Sequence, residues 1–78
     1  MNATPSLEMN IEAILFYTAE PMTVGELARL LERSAEDIEG ALSVLGTALA
    51  QRGVRLVRAG ESVELRTAGE SAPLIEKL

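Results

Sequence analysis

Three amphipathic helical stretches followed by two short alternating segments predict an α+β domain, helices first and a β-hairpin last. Apolar residues recur at helical spacing as far as Gly53, and from Val54 the period changes to two. Each helical stretch also follows a Ser or Thr suited to capping a helix N-terminus.

The first helix is read from Leu7, with Ser6 as its N-cap, to the break at Glu20 and Pro21. At about 100° per residue, Leu7, Ile11, Ile14, Leu15 and Thr18 share one stripe. Met9, Ala13, Phe16 and Tyr17 fall on roughly the opposite one. One stripe can face the domain's own core, so the other needs a second surface.

Thr23 and Glu26 have capping-box spacing, in which hydroxyl and carboxylate each accept a hydrogen bond from an exposed backbone N–H. The second helix then runs to about Leu31 with Val24, Leu27, Ala28 and Leu31 on one side. Ser34 and Asp37 give a weaker start of the same kind. The pattern Ile38, Ala41, Leu42, Leu45, Ala48 and Leu49 predicts a third helix as far as Gln51, ended by Gly53. Gly40 and Gly46 lie inside it, each costing about 1 kcal/mol relative to alanine. Two explanations stand: tolerated drift, or close approach of another backbone.

Val54–Ala59 and Val63–Thr67 read as strands joined through Gly60, Glu61 and Ser62, with Val63, Leu65 and Thr67 on one face. Ser71, Ala72 and Pro73 open a further helix. Three helices followed by a hairpin is the order of a winged helix, in which helices two and three form a helix-turn-helix and the hairpin is the wing. Residues 1–6 are expected to be a flexible N-terminus, residues 7–70 the winged helix, and residues 71–78 the start of an exit helix or linker. The chain is expected to continue beyond Leu78.

Seventy-eight residues bury only about 60 to 65% of the surface that the unfolded chain exposes. Association is therefore a natural source of added stability. There is no cysteine and no histidine, which excludes a disulfide framework and the usual zinc ligands. The same absences, with no Gly-rich phosphate loop, remove most general bases, nucleophiles and cofactor cradles, so no catalytic, metal or cofactor residue is assigned. Glu36, Asp37 and Glu39 are read as favourable neighbours of a helix N-terminus, and Glu8 and Glu12 as a solvated edge. No stretch has the length of a membrane span and no signal-peptide pattern is present, so a cytoplasmic protein is expected.

The net charge is −5, from seven basic and twelve acidic residues. All of it lies before Val54, whereas the wing and C-terminus are balanced. A recognition helix in a DNA groove reaches bases and phosphates with Arg, Lys, Asn or Gln. Here the outer face of the third helix offers Gly40, Ser43, Thr47 and Gln51 behind leading acids. Arg55, Arg58 and Arg66 on the wing are the remaining cations placed to touch a phosphate, but nearby glutamates suit an ordinary solvated strand face. Little or no direct nucleic-acid binding is expected. The candidate interface is Met9, Ala13, Phe16 and Tyr17, with Gly40, Ser43 and Thr47 or the wing as secondary contacts. A dimeric winged-helix DNA-binding regulator is the alternative.

From Leu7 to Leu78 the chain resembles the N-terminal domain of the segregation and condensation protein B family. The likeness lies in Ile11-Glu12-Ala13-Ile14-Leu15-Phe16, Glu20-Pro21-Met22-Thr23, Glu26-Leu27-Ala28 and Val63-Glu64-Leu65-Arg66-Thr67. The segment Ala72-Pro73 to Ile75-Glu76-Lys77-Leu78 resembles the family's exit from this domain. The resemblance implies a winged helix without enzymatic activity or cofactor, forming a homodimer. It also implies binding to the kleisin subunit, segregation and condensation protein A, and through it to the SMC ATPase in chromosome condensation and segregation. A second winged helix is expected after residues 71–78.

Overall fold

Residues 4–78 are described by a computed structural model; part of the expected flexible N-terminus, residues 1–3, lies outside them. Helix α1 spans Leu7–Thr18, and Ser6 caps it by accepting a hydrogen bond from the Met9 N–H at 3.2 Å. It stops when Ala19 turns left-handed (φ 56°), one residue before the expected break. Helix α2, Val24–Leu31, has the full capping box: Glu26 N–H donates to Thr23 Oγ1 (3.0 Å), and Thr23 N–H donates to Glu26 Oε1 (2.8 Å).

Helix α3 spans Ala35–Ala48 behind Ser34, whose hydroxyl accepts from Asp37 N–H at 3.0 Å. It ends earlier than the apolar pattern predicts. Ala50 N–H bonds to Thr47 O and Arg52 N–H to Leu49 O, so successive tight turns replace the last helical turn. Leu49 still points into the core: the burial pattern outlives the helix that it predicts.

The sheet has a member that the apolar pattern of the sequence does not announce. Met22–Thr23 forms a short strand, β1, paired antiparallel with β3 (Ser62–Thr67), which in turn pairs with β2 (Val54–Ala59). The order β1-β3-β2 puts β2 at an edge. Two residues are too few to show alternation, which is why this strand is silent in sequence. Ser62 pairs with Ala59 rather than belonging to the turn, so the hairpin turns on Gly60 and Glu61 alone, with Gly60 at φ 62°. A 3-10 turn, Gly69–Ser71, and a single-turn helix α4, Ala72–Ile75, follow.

The core gathers Ile11 and Leu15 of α1, Val24 and Leu27 of α2, Ile38, Ala41, Leu42 and Leu45 of α3, then Leu49 and Val63. Leu7, Ile14, Ala28, Leu31, Leu56 and Leu65 pack around it. These are the stripes expected from the sequence, closed by the wing, except that Ala48 of the third-helix pattern is exposed. Helices followed by a hairpin, with α2 and α3 as the helix-turn-helix, make this an α+β winged helix.

Candidate functional site

Because α1 gives Ile11 and Leu15 to the core, its far side is fixed outward. Met9 is 58% exposed, Phe16 79% and Tyr17 88%, and Ala13 is exposed between them. Neither the wing nor the C-terminal segment covers the aromatic rings. Met9, Ala13 and Phe16 share an open hollow of about 440 Å³ with Glu12, Val54 and Leu65. A second depression continues past Phe16 to Ala19 and Thr67. Tyr17 sits beside this trough rather than in it. Val54 and Leu65, which form the wing wall, are not among the interface residues expected from sequence; their apolar character in an alternating wing is the signal that marks them.

The third-helix candidates separate. Ser43 and Thr47 line a different groove of about 570 Å³, between α3 and β2, together with Gly46, Ala50 and Leu56. Gly40 does not line it, and a Cβ added there would meet nothing within 4 Å. At Gly46 such an atom would meet only Leu56 Cδ2 at 3.8 Å, an ordinary contact, so neither glycine is required by the close approach of a backbone.

Electrostatics separate this domain from a phosphate reader. Arg58 donates to both oxygens of Glu39 at 2.7 and 3.0 Å, joining wing to α3. Arg55 reaches Glu70 at 3.1 Å and Arg66 reaches Glu64 at 3.0 Å. All three wing arginines are thus engaged by carboxylates of the same chain. The Arg58 guanidinium holds the Glu39 carboxyl below the usual glutamate range. At the leading end of α3, Asp37 pairs with Arg33 at 3.1 Å, leaving Glu36 without a bonded cation among the described residues. No helix among the described residues is long and apolar enough to cross a membrane.

Fold and surface together define a small winged-helix domain with an uncovered apolar face on its first helix. The chain belongs to the family of segregation and condensation complex subunits ScpB, whose sequence profile matches residues 9–78. It is 36% identical over 70 residues to segregation and condensation protein B of Desulforamulus reducens, covering 87% of this chain and 39% of that protein. It is also 36% identical over 75 residues to the namesake of Carboxydothermus hydrogenoformans, covering 94% and 40%. The chain therefore spans about two fifths of the length of these relatives. Among solved structures it is similar to the crystal structure of a dimer of the ScpB N-terminal domain complexed with ScpA peptide. There the TM-score is 0.84 and the identity 26%, with 90% of each chain covered. ScpB from Mycobacterium tuberculosis gives the same TM-score and identity, over 96% of this chain and 50% of that one.

Proposed function

We propose that this chain is a non-enzymatic, cytoplasmic accessory subunit of a bacterial SMC condensin-like complex. Two copies meet through the outer face of α1 and bind a kleisin subunit, segregation and condensation protein A, which connects them to the SMC ATPase in chromosome condensation and segregation. Residues 71–78 lead toward a second winged helix, as the greater length of the relatives supports.

The observation that carries this reading is the exposure of Met9, Phe16 and Tyr17 on one helix in a chain of only 78 residues. Burying such side chains is worth about 1.5 to 3 kcal/mol each before association entropy is subtracted. A two-fold contact uses the same patch on both copies, so each exposed ring counts twice. The relative crystallised as a dimer with an ScpA peptide supports both the self-association and the partner. The internally paired wing arginines weigh against the DNA-binding alternative.

Phe16→Glu is the test. Its ring is solvent-facing in the single copy, so the variant keeps its helical circular dichroism while sedimentation reports a monomer in place of a dimer. A folded variant of unchanged dimer mass rejects Phe16 as an anchor.

A further inference from the structure

The groove between α3 and β2 is bounded by a free strand edge, and the hydrogen-bond phase of the hairpin shows which rungs are open. Ala68 N–H donates to Gly53 O at 2.7 Å just below the ladder, so Gly53 and Ala68 form a hydrogen-bonded pair. Counting in twos along the register makes Arg55–Arg66, Val57–Glu64 and Ala59–Ser62 pairs of the same kind. The main-chain groups of Val54, Leu56 and Arg58 therefore point away from β3. The order β1-β3-β2 places no strand on that side, and no hydrogen bond from outside the sheet reaches them among the described residues.

These outward rungs face a groove with room for a backbone. Across it stand Ser43, Gly46 and Thr47 of α3 and Ala50 of the turn that follows, all small, above a floor that includes Leu42 and Leu56. Its charged lining residues, Glu39 and Arg58, are closed on each other in a two-point ion pair. The groove thus offers unpaired N–H and C=O groups, little side-chain bulk and no net charge. A phosphate backbone finds no free cation there, whereas an extended, uncharged polypeptide segment matches both the rungs and the neutrality.

We infer that the β2 edge takes an extended, uncharged segment of a protein partner as a fourth strand, lying over Ser43, Thr47 and Ala50. The inference rests on the proposed function for the source of that segment, the kleisin subunit. It separates two surfaces: α1 for a second copy and the α3–β2 groove for the kleisin.

The probe is the recombinant kleisin subunit, titrated into the 78-residue chain with amide hydrogen exchange read residue by residue. In the free chain the amides of Val54, Leu56 and Arg58 exchange faster than those of Arg55 and Val57. On binding, the first three become protected. Thr47→Arg and Ser43→Arg place a long charged side chain in the groove from exposed helical positions. Each weakens kleisin binding by about tenfold or more, with circular dichroism and dimer mass unchanged. Arg29→Glu, on α2 outside the groove, leaves the affinity as it was. Undiminished binding by both groove variants, without alternate protection along β2, overturns this inference and leaves the proposed function standing. Loss of the dimer in the groove variants overturns it by assigning the groove to a second copy. Failure of the unaltered chain to bind the kleisin at all overturns the inference together with the function on which it rests.

Discussion

Leu27 and Phe16 show how differently single residues are used in this domain. Leu27 is fully buried among the three helices, so Leu27→Ala leaves a cavity and lowers stability by about 2 to 5 kcal/mol. Phe16→Ala removes a ring that is mostly solvated in one copy. Measured on dilute, monomeric protein, its unfolding free energy changes by no more than about 0.5 kcal/mol. Denaturant titration of both variants at low concentration checks the contrast; a large loss for Phe16→Ala there would mean that the ring supports the single fold. Gly40 offers a third case. A Cβ there meets nothing within 4 Å, so Gly40→Ala raises stability by about 0.5 to 1 kcal/mol in the same titration. Gly60, at φ 62°, has no such freedom, because an added Cβ would strain the hairpin turn.

Besides the shared apolar core, exposed carboxylates tie neighbouring elements together, and these set the response to acid. Glu26 is held below the usual glutamate range chiefly by the Thr23 backbone N–H and then by the Thr23 side chain, at the start of α2. Glu39 is lowered by Arg58, across α3 and the wing. Glu70 is lowered by its own backbone N–H and then by Arg55, where the chain leaves β3. In each case the native state prefers the ionised form. Their contribution is therefore present above the unfolded glutamate value, about pH 4.3, and is lost as pH falls through the lower folded values. Denaturation midpoints followed downward from about pH 6 fall in that acid range. In Glu39→Gln the fall is shallower, because one of the three lowered groups is gone. A profile unchanged by that substitution would show that the α3–wing ion pair contributes nothing to folding. All three carboxylates are solvent-exposed, so the effect is modest and weakens with salt.

For the whole molecule, the proposed self-association through α1 links association to folding. A domain of this size has a thin core, and covering the α1 face stabilises the folded state by mass action. The thermal midpoint of the unaltered chain consequently rises with protein concentration. That of Phe16→Glu does not, and calorimetry over a range of concentrations distinguishes them. Equal concentration dependence in the two would place the self-contact elsewhere than Phe16. The uneven charge belongs to the same scale. The helical part carries the net −5 of the chain, while the wing arginines are matched by glutamates of the same chain. This distribution does not favour a polyanion, in keeping with the protein partners proposed for the molecule.

The helices, their caps, the buried stripes and the presence of the hairpin could be read from sequence, because each depends on residues only a few positions apart: Thr23 with Glu26, Ile11 with Leu15, and the strands on either side of Gly60. That Ser62 pairs with Ala59 instead of lying in the turn was not among these readings. The outward direction of Phe16 was legible in the same way, since burying Ile11 and Leu15 leaves the other side of α1 no choice. What lies far apart in the chain was decided only on folding. Val54 and Leu65 join Phe16 in one trough; Arg58 reaches Glu39; Met22–Thr23 becomes a strand solely because β3 passes beside it; and Ser43 and Thr47 part company with Gly40. Local periodicity fixes which face of an element is apolar, but which surfaces meet depends on packing all the elements around one core, and that choice is made by the tertiary structure alone.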